Sequence, residues 1–237
     1  MMQNQNHSTL CKFVSFSGID GAGKSTQIAN LRARLQDAGM RVSLITFWDD
    51  VARLKRIREG AGHTLFKGEK GVGSPEKPVN RRDKNVRSWP MSLVRLGLYF
   101  VDALSLRAAV AKALRSGVDF VICDRYIYDE LANLNLANPA ARAYVRLIMK
   151  LAPRPDVSYF LDADPVAARA RKPEYPLDFL YLSRASYFTL IQLIGGITVI
   201  PPMSIQDAER EVVRHALTLL SLEELQSLPV GHLVSEG

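Results

Sequence analysis

Gly18-Ile19-Asp20-Gly21-Ala22-Gly23-Lys24-Ser25-Thr26 satisfies the pattern G-x-x-x-x-G-K-[ST], and its flanks give the pattern a structural setting. Before it, Leu10, Val14 and Phe16, with Phe13 on the opposite side, read as a buried strand over about residues 11–17 that ends at Gly18. After it, Ile28, Leu31 and Leu35 recur at helical spacing from Ser25 to Ala38, and Gly39 stops the helix. A strand, a glycine-rich turn and a helix in this order make a phosphate-binding loop. The glycines let the backbone fold tightly and aim its amides at phosphate oxygens, and the helix N-terminus adds partial positive charge. Lys24 would reach the outer phosphates and Ser25 would ligate Mg²⁺. Gly18, Gly21, Ala22, Gly23, Lys24, Ser25 and Thr26 are the candidate contacts to a nucleoside triphosphate.

Working outward, Val42 to Phe47 reads as a second strand, completing a β-α-β opening. A basic helical stretch near Val51 to Arg58 then gives way to residues 60–87, where Gly60, Gly62, Gly68, Gly71, Gly73, Pro75 and Pro78 break all periodicity and predict a mobile loop. From Pro90 a long apolar-rich helix runs through Leu93, Leu96, Tyr99, Leu104 and Leu114 to Gly117, and a strand follows at Asp119 to Cys123. Further helices are expected near Pro139 to Leu151, from Pro165, over Leu177 to Leu193 and from Ser204 to Leu220, with strands at Val157 to Leu161 and Ile197 to Ile200. Five short strands alternating with helices predict a single α/β domain, a three-layer sandwich with a mostly parallel five-stranded sheet and helices on both faces. Ligands bind such sheets at the carboxyl ends of the strands.

Composition narrows the function classes. The 237 residues are 47% hydrophobic and 23% charged, with 15 Gly and 12 Pro, which excludes collagenous, fibrous and wholly disordered chains. No apolar run approaches the roughly 20 residues a membrane helix needs; the nearest, Leu190 to Ile200, is shorter and contains Gln192. Residues 1–9 are polar, without the charged and apolar regions of a signal or transit peptide, so a cytoplasmic location is expected. Cys11 and Cys123 both flank apolar residues and read as buried structural thiols in strands, with no CxxC or metal-ligand spacing. The net charge of +7 is concentrated: residues 51–90 carry eleven basic side chains against four acidic, an excess equal to that of the whole chain. A nucleic-acid-binding face spread over the fold is therefore not indicated.

The loop GIDGAGKST, with Asp20 at its centre, resembles that of the thymidylate kinases, a family of P-loop nucleoside monophosphate kinases. Two further motifs carry the same resemblance in the same order. Asp124-Arg125-Tyr126 follows the third strand, and Leu161-Asp162-Ala163-Asp164-Pro165 leads into a lid-like segment with Arg169, Arg171 and Lys172. The resemblance implies ATP as donor, Mg²⁺ as cofactor and a small nucleotide acceptor, dTMP first, and it suggests a homodimer through the helix from Met91 to Leu114. Burial within the monomer would explain that helix's apolar faces equally well.

Phosphoryl transfer brings two polyanions together, so its catalysts are positioned cations. Asp124, at a strand end beside the loop, either holds Mg²⁺ or caps the following turn. Arg125 either clamps the acceptor phosphate or the transferring group, or makes a structural salt bridge. By resemblance Asp20 binds the acceptor's sugar hydroxyl, the alternative being local backbone hydrogen bonds, and Arg171 is the best match to the lid arginine, ahead of Arg169 and Lys172. Around the acceptor the chain departs from the family. Phe47-Trp48-Asp49-Asp50 stands where a Glu-Pro or Arg-Pro type turn is usual, Asp102 lacks the adjacent Arg of a base-reading pair, and Ile127-Tyr128-Asp129-Glu130 replaces a Ser followed by a Tyr-Gln pair. These departures leave open a different small acceptor such as a nucleoside. The basic segment is read as a solvated loop, a lid for an unusually charged acceptor, or a docking segment whose engagement nucleotide binding would control.

Overall fold

A computed structural model describes residues 11–51 and 89–220. The five strands are β1 (Lys12–Ser17), β2 (Val42–Thr46), β3 (Phe120–Asp124), β4 (Val157–Leu161) and β5 (Thr198–Ile200). All pair in parallel, in the order β2-β3-β1-β4-β5. The seven helices among the described residues are α1 (Lys24–Asp37), α2 (Trp89–Leu114), α3 (Ile127–Leu131), α4 (Pro139–Leu151), α5 (Pro165–Arg171), α6 (Leu177–Ile194) and α7 (Ile205–Leu217).

Alternation along β1 decides the layering. Val14 and Phe16 point to one face, where they pack with Ile28, Leu31 and Leu35 of α1 and Val212 and Ala216 of α7. Phe13 points to the other, with Val121, Cys123 and Phe160 of the sheet and residues of α2, α3, α4 and α6. Helices thus cover both faces, as the near-continuous apolar strands of a parallel sheet require. Helix starts are set by local chemistry: Asn138 accepts from the Ala140 amide and Asp164 from the Ala167 amide, each followed by a proline, and Ser204 accepts from the Asp207 amide.

Two connections positioned beside the site depart from the sequence reading. The stretch after β2 is a π-helical turn, Phe47–Val51, in which Phe47 and Val51 are buried and the Asp50 carboxylate accepts from the Thr46 amide at 2.7 Å. After β3 the chain forms the short helix α3, which the sequence reading lacks because five residues show no period. Cys11 also differs from its expected place: it precedes β1 and is half-buried, whereas Cys123 is fully buried, and both thiols are free. On α2, Tyr99, Ala103, Leu106 and Val110 face the core while Phe100, Val101 and Leu104 are exposed, so burial in the monomer accounts for only one of its apolar faces. Residues 52–88, with all eleven basic side chains of the charged segment and the expected loop, lie outside the described residues. Among those described, no helix is long and apolar enough to cross a membrane.

Candidate active site

The register of the central strands builds the site. Phe16 of β1 lies opposite Asp124 of β3, so the turn after β1 and the Asp124-Arg125 pair leave the sheet side by side. The Arg125 amide donates to the Phe16 carbonyl at 3.1 Å across this junction. At this point the strand order reverses direction on either side of β1, which is where a crevice opens at the carboxyl edge of such sheets.

Residues 18–23 form the phosphate loop. Gly18, Gly21 and Gly23 all have positive φ, and Gly23 caps α1 with no side-chain hydrogen bond to its first amides. The helix N-terminus therefore keeps donors for an anion. Glycine at position 21 is required twice over: φ is +82°, and a Cβ would stand 2.2 Å from the Ala168 carbonyl oxygen of α5. Helix α5 rests directly on the phosphate loop.

Lys24, only 6% exposed, turns back into this loop and donates to the Gly18 and Ile19 carbonyls, each at 2.9 Å. Burial pulls its ammonium down to about 8, with the nearby Arg125 cation adding to the effect. Ser25 and Thr26 are exposed at the loop's rim, next to Lys24 in sequence. Arg125 is the one non-glycine with positive φ among the described residues (φ 67°). Its guanidinium, 23% exposed, donates through one terminal nitrogen to Asp20 and through the other to Asp129 at 2.9 Å. Burial works against that charge, but Asp129 and Asp20 outweigh it and hold the arginine firmly protonated. Burial raises Asp20, but Arg125, Lys24 and Lys172 together outweigh it, so its carboxyl lies below the usual range. Its partners are these side chains and not the backbone amides of its own turn.

The Asp124 carboxylate makes no hydrogen bond or ion pair among the described residues, and the N-terminus of α3 has no side-chain cap, so the capping alternative is not realised. Burial raises this carboxyl, and Arg125 and Lys24 offset part of the rise. An unengaged carboxylate at the end of β3 and an exposed serine hydroxyl at the start of α1 are oxygen donors of the kind Mg²⁺ takes. Of the lid cations, Arg171 is exposed at the end of α5 and Arg169 is half-buried; Lys172 reaches the site, with its ammonium 3.8 Å from Asp20. Asp102 is fully buried on α2 and is not among the residues lining the cleft. Its charge, together with burial as the larger cause, pushes the Tyr144 hydroxyl up to about 12.

A cleft opens beside Asp20 and Arg125, walled by Trp48, Phe179 and Leu180 and lined by Asp129, Glu130, Asn133, Ser183 and Tyr187. Trp48 comes from the turn that departs from the family pattern, and Asp129, Glu130 and Asn133 come from α3 and its end, so both departures border the same space. Asp129 follows Arg125 by four residues, but Arg125 stands ahead of α3 with positive φ, so the pair falls outside helical register and carried no periodic signal. Arg184 had no such signal: from α6 it reaches Asp162 at the end of β4 with two bonds of 2.6 Å.

The sheet order, the glycine-rich loop and the cationic junction define a P-loop α/β phosphotransferase. No family model matches the chain. It is 31% identical over 188 residues to a probable thymidylate kinase of Staphylothermus marinus, covering 76% of this chain and 81% of the relative. It is 25% identical to a probable thymidylate kinase of Methanosphaera stadtmanae over 86% of this chain and 96% of the relative. A thymidylate kinase of Prochlorococcus marinus is 29% identical over 70% of this chain and 73% of the relative. The chain belongs to the thymidylate kinase family, as a divergent member.

Proposed function

We propose that this enzyme, a single P-loop domain acting in the cytoplasm, transfers the γ-phosphoryl group of ATP to a nucleoside monophosphate, with dTMP the first acceptor. The observation that carries this reading is the placement of Arg125, a partly exposed guanidinium between Asp20 and Asp129 at the mouth of the phosphate loop. A donor and an acceptor phosphate must meet where their mutual repulsion is cancelled, and a fixed cation there stabilises the transition state more than the separated substrates. Gly18, Gly21, Ala22, Gly23, Ser25 and Thr26 supply the loop and helix amides for the donor phosphates. Lys24 exchanges its two loop carbonyls for the outer phosphates. Asp20, released as Arg125 and Lys172 turn to phosphate, accepts a hydrogen bond from the acceptor's sugar. Arg171 swings from solvent toward the transferred group as the lid closes. Ser25 and Asp124 would hold Mg²⁺, which would neutralise charge on the donor phosphates. The exposed apolar face of α2 serves as the pairing surface of a homodimer.

One observation favours a second acceptor class. The cleft carries the carboxylates of Asp20, Asp129 and Glu130, and a nucleoside, with a hydroxyl in place of a phosphate dianion, meets less repulsion there. ADP formation from magnesium-ATP with a panel of nucleoside monophosphates and nucleosides separates the two. The proposal expects turnover with dTMP that falls by orders of magnitude in Lys24→Ala and Arg125→Ala. Turnover with nucleosides alone would transfer the reading to the second class.

A further inference from the structure

We infer that Asp129 is a positioning residue of the phosphoryl-transfer site: it is the fixed counterion that keeps Arg125 in place while Asp20 leaves it for the acceptor. The inference rests on the reading of Arg125 as the phosphate clamp. Arg125 holds a backbone conformation that costs a non-glycine residue strain, so something must secure it. Its two terminal nitrogens go to different carboxylates, and these differ in kind. Asp20 sits in the phosphate loop, is 18% exposed and is shared with Lys172 at 3.8 Å, so it has cations to trade. Asp129 sits on α3, four residues after Arg125, with its side chain 4% exposed and its Oδ2 accepting from Arg125 at 2.9 Å.

Asp129 is anchored as well as buried. Its amide donates to the Tyr126 carbonyl, and its carbonyl accepts from the Asn133 side chain at 2.7 Å. Its second oxygen, Oδ1, is buried with no hydrogen bond. A buried carboxylate with an unsatisfied oxygen is costly, and the fixed arginine is the group that offsets the cost, so neither charge leaves the other readily. With Asp129 alone bound, Arg125 keeps its position, and its other nitrogens face the phosphates. Without Asp129, Asp20 becomes the sole counterion, and each acceptor must break that pair to use either residue.

Two measurements on the full-length enzyme test it. In steady-state kinetics, Asp129→Asn is expected to lower kcat/KM for the acceptor by about 10- to 100-fold, through both kcat and KM, with the KM for magnesium-ATP unchanged. In an Arg125→Ala background the same substitution should have no further effect. A loss within twofold, or an equal loss in both backgrounds, would overturn the inference. The second measurement needs no turnover: phenylglyoxal modification of Arg125 followed by peptide mass spectrometry. Arg125 should react several-fold faster in Asp129→Asn than in the wild type, and at the wild-type rate in Asp20→Asn. Equal acceleration by both substitutions, or by Asp20→Asn alone, would overturn it. If the wild type turns over no nucleotide acceptor while the labelling asymmetry holds, the proposed function fails and the positioning role stands.

Discussion

Two glycines of the phosphate loop share a conformation but not a setting, and substituting each separates the contribution of α5 packing from that of the loop. Gly21 and Gly23 have φ of +82° and +87°, and a Cβ at Gly23 meets nothing within 4 Å. Alanine at 23 therefore carries only the left-handed penalty, about 1–2 kcal/mol. Alanine at 21 carries that penalty and places its methyl 2.2 Å from the Ala168 oxygen and 2.8 Å from its carbonyl carbon. These distances are roughly 1 Å inside normal contact, where carbon atoms rest at about 3.5 Å. Both contacts are backbone, so no side chain can swing aside, and α5 must lift. Overpacking of this kind adds about 1–3 kcal/mol. For a chain of this size each kcal/mol lowers Tm by about 2–4 °C, so Gly23→Ala should lose about 4 °C and Gly21→Ala about 10 °C without ligand. Thermal unfolding of the ligand-free variants gives these values, and amide exchange across residues 165–171 should accelerate in Gly21→Ala alone. Equal Tm losses, or unchanged exchange of α5, would refute the packing of α5 on the loop.

Further outcomes follow from other parts of the site. The Lys24 ammonium, lowered to about 8, is charged below that pH and neutral above it. Binding of a non-hydrolysable ATP analogue with saturating Mg²⁺ should therefore weaken roughly tenfold between about pH 7 and pH 9, and Lys24→Arg should abolish that slope in titration calorimetry. Arg184→Met leaves the Asp162 carboxylate, 4% exposed, without its two 2.6 Å bonds. Urea unfolding should show a loss of about 2 kcal/mol, with part of it recovered in Arg184→Met/Asp162→Asn. A thiol reagent should titrate one cysteine per native chain, the half-buried Cys11, and two after denaturation, because Cys123 is enclosed and its thiol pushed far up by burial. Two fast-reacting thiols in the native protein would contradict the placement of β3.

Much of this arrangement was readable before any coordinates. The strands were legible because the sheet buries both faces of β1, β3 and β4, making short apolar runs, and because glycine, proline and cap residues punctuate the chain at Gly39, Pro139 and Pro165. The phosphate loop was legible because phosphate chemistry needs particular residues at fixed spacing in one contiguous stretch. What the sequence concealed is the chemistry that assembles across the fold. Helix α3 is shorter than two turns, so nothing periodic announced that Asp129 would face Arg125. The π-helical turn that brings Trp48 to the cleft buries Phe47 and Val51 and has the Thr46 amide donating to the Asp50 carboxylate, a combination with no periodic pattern in sequence. Lys172 reached Asp20 although Arg171 matched the lid motif better, because Lys172 is the C-cap of α5, where the backbone leaves helical geometry, while Arg171 at the helix end stays exposed. Asp102 showed the reverse: a motif-like position that the packing of α2 buries away from the cleft lining.

Lys24 and Arg125 are the proposed cations for phosphoryl transfer from ATP to a nucleotide acceptor. Incubation with γ-labelled ATP, Mg²⁺ and dTMP, followed by separation of the nucleotides, tests this role most directly. Label is expected on the diphosphate of the acceptor, with the rate reduced by at least about a thousandfold in Lys24→Ala and Arg125→Ala. Label that stays on ATP or appears only as inorganic phosphate, or transfer that survives in both variants, would contradict it.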